Sequence, residues 1–226
     1  QGPRPLLVML QGSGCEPVFS DDGGTVVATA GQDIVQQIAG GRFAVMIVEK
    51  PGTRVKSAET AGEVSADCSS AFRKEHTLDG WVAAIGKAID AAKRSPLVDA
   101  DAAVNVMGLS EGSVVAGRLA AKRKDVGHVA FISGFGCDQW SDMLVRARLD
   151  AMNGEGTEEE RIAKAKAAVA TVEQGLAAVA KDPRNPDAFF EGQTHLFWST
   201  FGKACPAADL AAADADLLVF YGTQDE

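Results

Sequence analysis

The chain has 226 residues, 46 % hydrophobic and 23 % charged, enough for one globular domain with a sizeable core. Its net charge is −9 with no basic stripe, which argues against nucleic acid and anionic membrane surfaces as partners. The apolar runs at 6–10 and 45–48 are far shorter than the ~20 residues that a membrane span needs.

Pro5–Leu10 reads as a buried strand: short, apolar and continuous. It runs into Gln11-Gly12-Ser13-Gly14-Cys15. Small residues there either bring backbone N–H groups close to a ligand or simply make a Gly-rich turn. Residues 20–41 are polar and Gly-rich, with a short helix expected from Asp33 to Ala39. Phe43–Glu49 is a second buried strand, closed by Lys50-Pro51-Gly52, and 52–70 reads as loop. From Asp79 to Lys93, apolar residues at Trp81, Val82, Ile85, Ile89 and Ala92 form the stripe of an amphipathic helix, with Pro96 just past its end.

A third strand, Ala102–Met107, is followed by a helix over Ser113–Ala121 and a fourth strand, His128–Ser133. This alternation predicts an α/β fold with a mostly parallel, doubly covered sheet. Ligands in such sheets bind beyond the carboxyl ends of the strands. The Gly12–Gly14 loop, the turn at Ser110 and the loop Gly134-Phe135-Gly136-Cys137 all fall at that edge. Residues 138–202 break the alternation. They hold a long helix over Glu158–Lys181 with an apolar seam, ended by Pro183 and Pro186, and then an aromatic-rich segment, Phe189–Trp198. That is too little for a second core, so 138–202 is expected to be a helical cap inserted into a core of 1–137 and 203–226. Asp216–Tyr221 is a fifth strand, leading into Gly222-Thr223-Gln224-Asp225-Glu226.

The chemistry centres on Gly108-Leu109-Ser110-Glu111-Gly112, set between a strand and a helix. A G-x-S-x-G turn in that context is so sharp that its serine sits strained at the apex, with Oγ above the sheet. Gly108 and Gly112 are needed because a Cβ at either place would strike neighbouring backbone. The five residues alone arise by chance; the flanking strand and helix separate a nucleophile from an incidental Gly/Ser turn.

Three motifs in this order resemble the α/β-hydrolase family: Leu10-Gln11-Gly12-Ser13-Gly14 as the H-G-x-G loop, Gly108–Gly112 as the nucleophile elbow, and Leu218–Asp225 as a late strand followed by G-x-x-D. The resemblance covers nearly the whole chain outside 138–202. It implies a serine hydrolase acting on an ester, thioester or peptide-like acyl bond, with no cofactor and no metal. Members resembling the prolyl-oligopeptidase group keep esterase and peptidase both open. By that resemblance Ser110 attacks the carbonyl, a histidine takes its proton, and Asp225 orients the histidine. The oxyanion would be held by the N–H groups of Glu111 and Ser13. The Glu111 side chain is expected to point away from the reacting face. Phe135, Trp140, Phe197, Trp198 and His195 are candidates for the substrate pocket, though each aromatic could equally be core.

Two departures stand out. Gln11 replaces the family's histidine, which is tolerable because the oxyanion donors are backbone groups. More seriously, the family order is serine, acid, histidine, and no histidine follows Asp225. His128 opens a strand and reads as structural, His76 lies in a loop or cap, and His195 is the one nearest the site but breaks the order. The expectation is a histidine supplied from outside these 226 residues or by a second chain. A first residue of Gln1 likewise suggests a removed leader or a fragment. Asp138 is the fallback acid.

The four cysteines, Cys15, Cys68, Cys137 and Cys205, form no C-x-x-C pair. They fit either two disulfides in a secreted or periplasmic protein or four thiols in a cytoplasmic one. Cys137 and Cys205 bracket the insertion, whose ends must return to one sheet edge. That geometry favours Cys137–Cys205 and leaves Cys15–Cys68. Two rival functions remain: a non-catalytic binding protein of the same fold, and a metal-dependent hydrolase, the latter opposed by three scattered histidines without H-x-x-x-H spacing.

Overall fold

The structure, a computed structural model, describes residues 2–28, 35, 37–53 and 68–222. Along the chain, β1 (Leu6–Leu10) precedes β2 (Phe19–Asp22), β3 (Thr25–Ala28) and β4 (Ala44–Ile47). Then come α1 (Ser70–Glu75), α2 (Leu78–Ala92), β5 (Val104–Leu109), α3 (Glu111–Lys122) and β6 (Val126–Ile132). A helical stretch, α4 (Gln139–Asn153) and α5 (Glu158–Lys181), leads to β7 (Phe189–Phe190), β8 (Gln193–Thr194), α6 (His195–Phe201), α7 (Pro206–Ala212) and β9 (Asp216–Phe220).

Five strands form one parallel sheet in the order β4-β1-β5-β6-β9. All of β1 is buried because both sheet faces are covered, and this is why its sequence is a continuous apolar run. Leu6, Val8 and Leu10 face a core shared with Trp81 and Ile85 of α2 and Val114 of α3. Leu7 and Met9 face the other side, against Val35, Ala39, Phe43 and Met107. Trp81, at 0 % exposure, is the largest of these side chains. Each such fully buried large side chain contributes about 1.5–3 kcal/mol. α2 starts where Thr77 accepts a hydrogen bond from the Gly80 N–H at 3.2 Å, and it buries the predicted stripe.

The polar reading of 20–41 missed a hairpin. β2 and β3 pair antiparallel around Gly23 and Gly24, both at positive φ, and the Gly24 N–H donates to Asp21 at 2.7 Å. Most of β3 is exposed, so no burial pattern marked it. The helix expected at Asp33–Ala39 lies partly outside the described residues; 37–39 are helical. Where 52–70 was read as loop, α1 begins at Ser70, and 54–67 lie outside the described residues.

In the 138–202 stretch, α5 opens with a capping box between Thr157 and Glu160 and buries Ala165, Val172, Leu176 and Val179 of its seam. Phe197, Trp198 and Phe201 of α6 enter the main core. Both expected cysteine pairs are bonded, Cys15–Cys68 with Cα atoms 5.8 Å apart and Cys137–Cys205 with 3.9 Å. Among the described residues β9 is a sheet edge, and Leu217, Leu218, Val219 and Phe220 are 45–56 % exposed.

Candidate active site

Ser110 stands between β5 and α3 with φ 52° and ψ −117°, a backbone shape that costs a non-glycine residue about 1–3 kcal/mol. The surroundings hold it there. Its N–H donates to the Ile132 carbonyl at 2.8 Å. The Ser113 hydroxyl, fully buried, donates to the Gly108 carbonyl at 2.6 Å and accepts from the Ile132 N–H at 3.1 Å. A Cβ on Gly112 would lie 2.6 Å from the Gln11 carbonyl oxygen, and one on Gly108 2.6 Å from Ser113 Cα. The elbow therefore packs backbone to backbone on itself and on the early loop.

That loop lies beside the serine: a Cβ on Gly12 would be 3.6 Å from Ser110 Cβ. Beneath it sits Lys50, three residues past the end of β4, with its side chain 0 % exposed. Lys50 Nζ donates to the Gly12 carbonyl at 2.6 Å, the Gly14 carbonyl at 2.9 Å and Glu111 Oε1 at 2.9 Å. His76 Nε2 meets the same carboxylate oxygen at 2.9 Å. The His76 ring stacks on Phe72, Phe197 and Phe201, and Lys50 Nζ lies 4.7 Å over the Trp81 ring. Burial alone would raise the Glu111 carboxyl, but the charges of Lys50 and His76 and their hydrogen bonds outweigh it and hold it down to about 2. Burial pushes the Lys50 amine below its ordinary value, against the pull of Glu111.

A cavity of about 470 Å³ opens over this floor, lined by Ser13, Ser110, Glu111, Ser133, Phe135 and Tyr221. From α4 and α6 it receives Asp142, Arg146, Phe197 and Phe201. Burial first, and the Asp138 charge second, raise the Asp142 carboxyl above its ordinary value.

No family model matches the chain, and no curated protein matches it. Among solved structures, DcsB in complex with its substrate analogue aligns with 97 % of this chain and 72 % of its own at a TM-score of 0.54 and 12 % identity. Acetyl xylan esterase 1 from Thermoanaerobacterium sp. JW/SL YS485 aligns with 100 % of this chain and 71 % of its own, at a TM-score of 0.48 and 15 % identity. The alpha/beta hydrolase GrgF from Penicillium sp. sh18 aligns with 99 % and 83 %, at a TM-score of 0.49 and 14 % identity. The chain has the α/β-hydrolase fold.

Ser110, Ser13 and the residue after the serine, Glu111, share the cavity wall. Of the pocket candidates, Phe135 and Phe197 line it, whereas Trp140, His195 and Trp198 are not among its lining residues. Trp198 is buried with its indole N–H on the Phe190 carbonyl at 2.6 Å, and Trp140 donates to the Trp198 carbonyl at 3.3 Å. His195 is buried, with Nδ1 3.2 Å from the Asp182 carbonyl. His128 is half-exposed, 3.7 Å from Asp216. His76, the C-cap of α1, stands in the short loop before α2 as expected, but its side chain is buried. Asp138 precedes α4 at φ 58° and accepts from the Ser141 hydroxyl at 2.7 Å. Asp225 lies outside the described residues.

Sequence reasoning missed Lys50, His76 as its neighbour, Ser113, and the pair Asp142 and Arg146. The available signal for Lys50 was its place just past the carboxyl end of a strand expected to be buried, though among the described residues β4 proves to be a half-buried edge strand; that end is the edge where an α/β sheet binds ligands. Among the described residues no group of three or more His, Cys, Asp or Glu side chains is arranged to hold a metal ion.

Proposed function

We propose that this chain is the core of a serine hydrolase that cleaves a small-molecule ester, thioester or peptide-like acyl bond through a seryl acyl-enzyme. The observation that carries the reading is Ser110 at positive φ on a strand-to-helix turn, sharing a cavity with the early Gly-rich loop. In this reading Ser110 Oγ attacks the acyl carbon while a histidine removes its proton. The oxyanion takes hydrogen bonds from the Ser13 and Glu111 N–H groups. The histidine then protonates the leaving group, and water releases the acyl group by the same steps.

Asp225 is the proposed acid that orients the histidine. None of His76, His128 and His195 lines the cavity, so the base is proposed to come from chain outside these 226 residues or from a second chain. The exposed apolar residues of β9, next to the cavity residue Tyr221, supply a surface on which such a segment would pack. Residues 138–202 are the proposed cap. The two disulfides favour a secreted or periplasmic protein.

The test is labelling of the full-length protein with a fluorophosphonate probe. Labelling that disappears in Ser110→Ala supports the reading. The distribution of the three histidines also favours a second one, a binding protein of the same fold. A wild type that takes no label, yet binds acyl compounds in the cavity, supports that one instead.

A further inference from the structure

Lys50 does more than neutralise a buried carboxylate. Its ammonium carries three protons, and the three short contacts use them on Gly12, Gly14 and Glu111. Two of these acceptors are backbone carbonyls of the early loop, and the third belongs to the residue after Ser110. One buried cation thus joins the two segments that carry the proposed oxyanion donors. In a trans peptide the C=O and the following N–H point in opposite directions. Drawing the Gly12 carbonyl down onto Lys50 therefore turns the Ser13 N–H the other way, and Ser13 lines the cavity. This peptide lies against Ser110, a Cβ at position 12 standing at ordinary contact distance, 3.6 Å, from Ser110 Cβ.

We propose that Lys50 is a positioning residue that fixes the direction and spacing of the Ser13 and Glu111 N–H groups for an acyl oxyanion. The proposal rests on the serine hydrolase reading. Its reach is a rate effect: oxyanion donors aimed by a rigid tether act on the transition state and not on substrate binding. The carbonyls of a Gly-rich loop, left without the cation, would turn toward water, and the N–H groups would turn with them.

Removing Lys50 alone leaves Glu111 charged and buried, which is severely destabilising. The test therefore uses Lys50→Met beside the charge-balanced Lys50→Met/Glu111→Gln, both in the full chain, with folding checked by circular dichroism. Hydrolysis of p-nitrophenyl butyrate should show kcat reduced about 100-fold and KM within about threefold of wild type. Amide hydrogen exchange across residues 11–15 should be at least about tenfold faster. A folded double variant that keeps either kcat or the slow exchange of 11–15 overturns the proposal. A wild type that neither hydrolyses the ester nor takes the fluorophosphonate means that the serine reading has failed. Exchange then decides alone: slow exchange in the double variant refutes the tether, and fast exchange supports it as a device for holding the loop.

Discussion

At Ser110 the backbone is bent into a shape the residue would not choose, and the atoms that enforce it are small or absent. Gly108 and Gly112 carry no Cβ, and the Ser113 hydroxyl links β5 to β6 from beneath. Glu111 is the charged member of this floor, and its ionisation has a consequence for stability. Its carboxyl sits at about 2 in the folded protein against an ordinary 4.5, so folding favours the deprotonated form. The stabilisation is fully present above pH 4.5 and is lost as pH falls from there toward 2, on the order of 3 kcal/mol in all. Thermal melts should show Glu111→Gln well below wild type at pH 7, with the gap narrowing between pH 5 and 3. Asp125, also held at about 2, chiefly by its hydrogen bonds from Arg123, adds a smaller, solvent-screened step common to both proteins.

At the scale of elements, what the sequence revealed depended on how local the signal was. The apolar run 6–10 and the stripe Trp81, Val82, Ile85 and Ile89 are periodic within a few residues, and both became the elements expected. β2 and β3 bury too little to leave a pattern. Trp140 and Trp198 show the limit of composition: aromatic richness does not distinguish a pocket wall from core, and their indole N–H groups end on backbone carbonyls. The long helix α5 was legible from its seam, yet the structure buries only four residues of it. Such a helix relies on its ends. Thr157→Ala removes half of the capping box and should cost on the order of 1 kcal/mol locally. The effect should appear as faster amide exchange over residues 158–164, with exchange in β1 and β5 unchanged.

For the molecule as a whole, the sheet and elbow were readable because the strand–helix alternation dictates a parallel sheet and its carboxyl edge. The cluster Lys50, Glu111 and His76 was not, because its partners are 61 and 35 residues apart and meet only once the sheet has formed. A lysine after a strand looks solvated in sequence, and only the loop folding over it makes it interior. The pairing of Cys137 with Cys205 was legible for the opposite reason: a stretch that breaks the strand–helix alternation is expected to return to the sheet edge it left. The exposed strand β9 carries a separate consequence, for handling the 226-residue chain. Among the described residues no strand pairs with the outer edge of β9, and Leu217–Phe220 present apolar side chains there, the kind of template on which a second chain adds. A net charge of −9 keeps molecules apart at low salt, and added salt screens it. Sedimentation at rising protein concentration should therefore show self-association that strengthens with sodium chloride. Leu218→Lys should suppress it with little change in melting temperature. Wherever β9 is left uncovered, solubility would then be governed by one strand at the margin of the sheet, far in character from the turn at Ser110.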